Sequence, residues 1–223
     1  MATLPNEQEA ERLLLWASSL NEGAWVAHSR VVARAAKRIA DACGLDSARA
    51  HTLGLLHDIG RYEGVRGLHH TLAGYRLMTD KGFADAARIC LTHSFPIKRI
   101  EAYSGARDCT ADEMRFLGDF LRRAVYDDYD HLIQLCDALA LAQGVATLDE
   151  RLLDVTARHG FNDATLAKWE AFRALKRDFD RRCGGSVYAL FRDEISARLF
   201  GSALASDGTP LYNRENDKED ARC

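Results

Sequence analysis

Residues 55–60, with the sequence Leu-Leu-His-Asp-Ile-Gly, constrain the fold of this chain more than any other stretch. Ala50 and Leu53 lie seven and four positions before His57, so the imidazole belongs to the apolar face of a helix that the glycine then ends. A histidine and an aspartate side by side at a buried helix end cost free energy unless a partner compensates them. A metal ion is the most economical partner, and the rest of the chain should supply its other ligands.

The composition fits a globular protein and excludes several functional classes. The 223 residues are enough for one large or two small domains, and a net charge of −3 gives no general nucleic-acid footprint. No apolar run reaches the roughly 18 residues of a membrane span. Residues 1–11 are polar and partly acidic, unlike a signal peptide, so we expect a cytoplasmic protein.

The periodicity of apolar residues predicts an all-α fold without a sheet, because no stretch shows sustained alternation of β-branched residues. Six cysteines show no close pairing, which argues against a disulfide framework or a zinc ribbon. We interpret Cys43, Cys90 and Cys136 as small core residues. The predicted helices span about 6–20, 26–43, 46–58, 70–82, 83–93, 111–123, 128–143, 148–159, 163–182 and 186–200.

Four further polar residues fall on inward helical faces and are candidate partners of the His-Asp pair. His28 shares a face with apolar residues of the second predicted helix, and Asp137 lies on the inner side of the seventh. His70 and His93 lie on inner faces of the fourth and fifth. Imidazole nitrogen with carboxylate oxygen suits Mn, Fe, Co, Ni or Zn rather than calcium. No cysteine belongs to the set, which argues against a structural zinc site.

The order His … His-Asp … Asp resembles the HDIG-type HD-domain superfamily of metal-dependent phosphohydrolases, in particular its small bacterial single-domain members. The match runs from about Val26 to Ala142. Three elements sharpen it: His-Thr-Leu-Ala-Gly at 70–74, Thr-His-Ser at 92–94, and the helical segment 132–139. A bare His-Asp dipeptide is a weak signal, but the ordered set at these spacings is a specific one.

The resemblance implies an HD-domain helical bundle with additional C-terminal helices and a divalent transition metal as cofactor, either one ion or two. The residues that it makes ligands of the first ion are His28, His57, Asp58 and Asp137. His70 and His93 match positions that hold a second ion, with Asp58 bridging, or that contact phosphate. The resemblance leaves the choice between one ion and two open.

The same resemblance makes Asp58, His70 and Arg61 the catalytic candidates. Arg61 stands where relatives often carry lysine, and it keeps the positive charge while adding a bidentate fork. Lys98 and Arg99, in the long irregular region of residues 94–112, are with Arg61 the expected substrate-binding cations.

The implied activity is hydrolysis of a phosphoester or phosphoanhydride bond of a nucleotide or small phosphate ester, by attack of metal-bound hydroxide on phosphorus. Two alternatives stay open: a non-catalytic metal-binding signalling or scaffold module, and an HD-type di-iron oxygenase. The expected partner is a small-molecule phosphate, with a nucleotide first. Neither a membrane nor a nucleic acid is expected, since the basic stripe of the second helix fits a solvated face. A homodimer is left open.

We predict a single HD-type domain over residues 1–205, with its metal-binding core at about 26–142 and C-terminal helices at about 148–200. We expect those helices to pack against the core, although a dimer surface or a pocket wall would also suit their amphipathic pattern. Residues 206–223 are polar and rich in charge, which predicts a disordered tail.

Overall fold

Residues 3–201 are described by the computed structural model, and they form a helical bundle with one small two-stranded ladder. The all-α class predicted from the sequence is confirmed for this part of the chain. The helices are α1 (Glu7–Leu20), α2 (Ala24–Cys43), α3 (Ser47–Leu56), α4 (His69–Asp80), α5 (Ala84–Thr92), α6 (Ala111–Arg123), α7 (Asp128–Leu139), α8 (Leu148–His159), α9 (Thr165–Arg182) and α10 (Arg192–Phe200). Within the same range, 3₁₀ helices lie at Ile59–Glu63, Ile100–Ala102 and Val187–Phe191.

Two predicted helices differ in the structure. The sequence predicts the seventh helix to about residue 143, but α7 ends at Leu139, where β1 (Ala140–Leu141) pairs antiparallel with β2 (Gly144–Val145). Gly144 has a φ of 143°, a conformation that glycine adopts without strain, and this allows the tight return of the chain. The prediction of no sheet is therefore wrong at this hairpin. The predicted helix 186–200 is likewise divided into a 3₁₀ helix and α10.

Short polar signals fix where several helices begin. Thr110 and Thr147 each form a capping box, in which the hydroxyl accepts from the backbone of a glutamate three residues later and that carboxylate accepts in return. Asp127 and Asp130 make the same exchange at the start of α7. A cap of this kind stabilises its helix by about 1 kcal/mol. The cap of α7 therefore helps to set the register of the helix that carries Asp137.

The central helix α2 organises the hydrophobic core. Its buried residues Val32, Ala35 and Ile39 pack in one cluster with side chains of α3 and α7. From the C-terminal part of the chain, Phe172 and Phe179 of α9 join the same cluster. Fully burying a side chain of this size stabilises the fold by roughly 1.5–3 kcal/mol. The predicted packing of C-terminal helices against the core is thus confirmed.

Several smaller predictions have mixed outcomes. Cys90 and Cys136 are buried as predicted, whereas Cys43 is half-buried and its thiol contacts that of Cys183 just after α9. Of the helices described, none is both long and apolar enough to cross a membrane. The predicted tail 206–223, with Cys223, lies outside the described residues, and the domain boundary at residue 205 stays a prediction.

Candidate metal centre

The turn after α3 places the His-Asp pair against the start of α4. His57 caps α3, and Asp58 precedes the 3₁₀ helix Ile59–Glu63. A Cβ atom at Gly60 would lie 1.9 Å from the carbonyl oxygen of His70 and 2.3 Å from the backbone nitrogen of Gly74. Only glycine allows two backbone segments to approach this closely. Gly60 thereby brings Asp58 next to His70.

Three buried histidines are each oriented by a backbone carbonyl group of their own helical turn. The Nδ1–H of His57 donates to the carbonyl oxygen three positions earlier at 2.8 Å, and that of His93 donates to the one four positions earlier at 3.1 Å. His70 donates in the same way three positions back. Because a carbonyl oxygen only accepts, each ring carries a proton on Nδ1, and in its neutral form it presents a lone pair at Nε2. Metal-ligating histidines commonly show this arrangement.

The lone pairs of these rings meet each other and the Asp58 carboxylate. The Nε2 atoms of His70 and His93 are 3.3 Å apart, and the ring centroids of His57 and His93 are 5.0 Å apart. Asp58 Oδ1 lies 3.0 Å from His70 Nε2 and 3.5 Å from His93 Nε2. Electron pairs held at these distances repel one another unless a proton or a metal cation lies between them.

The second carboxylate comes from the C-terminal part of α7. Asp137 Oδ1 lies 3.0 Å from His28 Nε2, on α2, and 3.9 Å from His57 Nε2. His28, His57 and Asp137 offer ligand atoms that all lie within 4.8 Å of one another, as do His57, Asp58 and His93. The structure therefore brings the predicted ligands of the first ion into one cluster with His70 and His93.

Burial and charge keep most of these groups in forms that suit a metal ion. Burial lowers the pKa of His57 to about 4, and it also lowers the pKa of His70. Burial alone would raise the pKa of Asp58, yet the adjacent guanidinium and imidazole charges hold it well below its usual range. At Asp137 burial is likewise outweighed, there by the hydrogen bond and charge of His28, and the pKa is lowered. At pH 7 the rings of His57 and His70 are therefore neutral, and the carboxylates of Asp58 and Asp137 are ionised.

The donor set fits a divalent transition-metal ion. His57 Nε2 and Asp58 Oδ1 are buried and have no hydrogen-bond partner among the described residues. Each such atom costs about 1–3 kcal/mol. Imidazole nitrogens and carboxylate oxygens are the ligands that first-row transition ions prefer, so one cation would satisfy both atoms. His93 differs from the other rings, because Asp58 outweighs burial and raises its pKa.

A cleft of about 250 Å³ opens onto this cluster. Arg61 lines it, as predicted, and its Nε donates to Asp58 Oδ2 at 2.6 Å. Trp25 and Tyr103 supply aromatic surface at the cleft. The residues that α8 and α9 add to the lining are Arg151, Val155, Arg158, His159 and Lys168. The C-terminal helices therefore make one wall of the cleft as well as packing on the core.

Lys98 and Arg99 do not belong to the lining of this cleft. The amine of Lys98 donates to the carbonyl oxygen of Ala124 at 2.7 Å and lies 4.5 Å from the ring centroid of Tyr126. Arg99 is exposed. The interpretation of these two residues as substrate-binding cations therefore has no geometric support, and we leave them out of the candidate site.

Sequence reasoning missed Lys168 and Arg151. For Lys168 a signal exists, since it lies four residues before Phe172 and so places a cation on the inward face of α9. Arg151 offers no comparable signal, because it stands beside the buried Leu152 on a helix that is otherwise rich in charge.

Comparison with known proteins gives one match. The family model described as HD domain matches residues 25–142, which is more than half of the chain. The matched segment contains every predicted metal ligand and none of the residues that α8 and α9 add to the cleft. No curated protein and no solved structure matches the chain.

Proposed function

Because the chain belongs to the HD-domain family of metal-dependent phosphohydrolases, we propose that it hydrolyses a phosphoester or phosphoanhydride bond of a nucleotide or other small phosphate ester. Family membership supports metal-dependent phosphohydrolase chemistry in general. The anionic substrate class is supported by the cleft, whose lining combines Arg61, Arg151, Arg158 and Lys168 with the cluster of histidines and carboxylates.

The observation that carries this proposal is the convergence of imidazole lone pairs on a carboxylate. A structural His-Asp cluster would use its rings as donors to the carboxylate. Here the Nδ1–H groups of His57 and His70 donate to backbone carbonyl groups. The Nε2 atom of His70 lies 3.0 Å from Asp58 Oδ1. This arrangement favours a bound cation over internal hydrogen bonding.

Each residue has a definite part in such a reaction. A divalent ion supplies Lewis acidity, which lowers the pKa of water and neutralises phosphoryl oxygens. His28, His57, Asp58 and Asp137 would hold that ion. Arg61 orients Asp58 through its Nε, and its remaining N–H groups at the cleft can donate to a phosphoryl oxygen.

Metal analysis and a substrate panel test the proposal. Protein purified without chelators should contain Mn, Fe, Co, Ni or Zn, and the molar ratio should decide between one ion and two. It should hydrolyse at least one member of a panel of nucleotides and p-nitrophenyl phosphate esters. His57→Ala and Asp58→Ala should lose metal and about a thousandfold in turnover, because they remove ligands of the ion.

Asp119→Ala is the matched control, since Asp119 is a half-buried acid that pairs with Arg122 outside the cleft. It should retain both metal and turnover. Protein that binds metal but cleaves no phosphoester would contradict the proposal and favour the non-catalytic module that the sequence also allowed. Unchanged turnover in His57→Ala and Asp58→Ala would remove these residues from the site.

A further inference from the structure

The cations that line the cleft differ in how they are paired. Arg61 contacts Asp58, while Arg151 and Arg158 both contact Asp154, each at 2.8 Å. Lys168 is the exception, since no carboxylate of the described residues lies within ion-pair distance of its amine. The hydrogen bond that Lys168 makes runs to Ser104 Oγ at 3.4 Å, which is long for a charged donor.

The surroundings of Lys168 make this lack of a partner costly. Its amine lies 5.9 Å from the ring centroid of Phe172, a buried core residue. Burial lowers the pKa of Lys168 to about 8, although the charge of Asp137 opposes that effect. An ammonium group that is desolvated without a partner is unfavourable, so a function should account for its position.

Arg151 adds a second donor at the same wall. Its Nη1 donates to Asp154, but its Nε is buried and has no hydrogen-bond partner among the described residues. Arg151 and Lys168 line both the main cleft and a smaller recess that continues from it. Two cations on neighbouring helices thus line the same space, and each keeps N–H groups that no acceptor among the described residues engages.

We propose that Lys168 and Arg151 form an anion subsite, and that the substrate therefore carries two linked phosphoryl groups, one at the His/Asp cluster and one at this wall. The inference rests on the proposed function for its first phosphoryl group. A nucleoside diphosphate or triphosphate, or another phosphoanhydride, has the required pair of charges. The subsite lies outside the segment that matches the HD family, so it belongs to this chain's own C-terminal helices.

Binding of two probes by calorimetry tests the subsite on full-length, manganese-loaded protein. The probes are orthophosphate and methylenediphosphonate, whose P–C–P linkage resists hydrolysis. Lys168→Met removes the charge and keeps the stem that packs near Phe172. It should weaken diphosphonate binding about tenfold and orthophosphate binding less than about twofold, as expected for the loss of one charged hydrogen bond.

Two further variants separate charge from structure. Lys168→Arg keeps the charge and should keep diphosphonate affinity within about threefold of wild type. Lys176→Met is the control on the same helix, because Lys176 pairs with Asp180 at 2.7 Å away from the cleft, and it should leave both affinities unchanged. Thermal unfolding of each variant shows whether it is folded, and Lys168→Gln replaces Lys168→Met if the latter is not.

Two results would overturn the subsite. Equal weakening of both probes would place Lys168 at the reacting phosphoryl group, and no weakening of either would make it a counter-charge for Asp137 alone. Metal content and p-nitrophenyl phosphate hydrolysis are measured on the same wild-type preparation. Metal-bearing protein without turnover would refute the proposed function, while the probe comparison would still decide the role of Lys168.

Discussion

Helix α7 carries an inward-facing aspartate near each end, the fully buried Asp130 and the half-buried Asp137, and the two differ in their partners. At the N-terminal end Asp130 is fully buried, and it accepts from Arg88, from Thr92 Oγ1 at 2.7 Å and from the backbone of Asp127 at 2.9 Å. At the C-terminal end Asp137 faces histidines and an open cleft. The first carboxylate accepts several hydrogen bonds from within the chain, whereas Asp137 has one such partner, His28, and the cleft beside it can admit an external cation.

Helix polarity sharpens this difference. The N-terminus of a helix carries partial positive charge and stabilises Asp130, whereas the C-terminus disfavours the negative charge of Asp137. An acid kept at the unfavourable end, with one hydrogen-bonding partner and an open cleft beside it, indicates a binding site. A buried acid with a complete set of donors indicates structure. Burial alone does not distinguish an acid of a binding site from a structural acid. The number of hydrogen-bond donors around the carboxylate does.

The largest effect should come from Asp137→Asn. The change removes one negative charge from the metal cluster while keeping the shape of the side chain, so hydrolysis should fall about a thousandfold. The metal-free protein should unfold within about 1 kcal/mol of wild type. Steady-state turnover, metal analysis and urea denaturation measure these quantities. Turnover close to that of wild type would contradict the assignment of Asp137 to the metal site.

Asp130→Asn should show the opposite pattern. Losing the charged partner of Arg88 in a buried network should lower the free energy of unfolding by about 3 kcal/mol. Turnover per folded molecule should not change, because Asp130 does not line the cleft. Urea denaturation followed by activity assays at low temperature checks both statements. A variant that is stable but inactive would give Asp130 a functional part.

Metal addition should separate the two variants again. A ligand that binds only the folded state at 100 times its dissociation constant stabilises that state by about 2.7 kcal/mol. Manganese at that ratio should raise the free energy of unfolding of wild type and of Asp130→Asn by this amount. It should raise that of Asp137→Asn far less, and chelator should reverse the gain. Equal gains in both variants would place the ion elsewhere.

The smallest effect concerns the unpaired cation opposite Asp137. Lys168 has a pKa lowered by burial to about 8, so it loses its proton, and with it its charge, as the pH rises through that value. The affinity of wild type for methylenediphosphonate, divided by that of Lys168→Arg, should fall about fivefold between pH 7 and pH 9, because the neutral amine should bind about as weakly as the side chain of Lys168→Met. The ratio cancels ionisation of the probe. A constant ratio would contradict an anion-binding amine.

Helix α7 also shows what the sequence predicts well and what it does not. Apolar periodicity places Asp137 on the inner face, because a helical repeat of 3.6 residues is a local property. The same pattern extends the helix past Leu139, since the pairing of β1 with β2 depends on backbone contacts that leave no periodic trace. The start of α7 is predicted correctly, where Asp127 provides a local capping signal.

The candidate site shows the same difference between what local periodicity predicts and what depends on tertiary contacts. The sequence indicates the histidines and acids of the site because each lies on an inward helical face or, as Asp58 does, directly after one. The sequence groups Lys98 with the site because it lies close to His93 along the chain, but the amine of Lys98 donates to the carbonyl group of Ala124 and does not line the cleft. Lys168 was missed because a distant helix carries it into the cleft, and that placement is tertiary.

Main-chain carbonyl groups, rather than neighbouring side chains, orient the rings of His57, His70 and His93. The acceptor of each ring lies three or four residues before it, so the hydrogen bond that orients the ring is local. Exchange of nearby side chains consequently leaves the ligand directions intact, and a proline in one of these turns would not. Tolerance to mutation around the centre should therefore follow backbone compatibility, and Gly54 and Gly60, where a Cβ atom would meet another backbone segment, should tolerate substitution least.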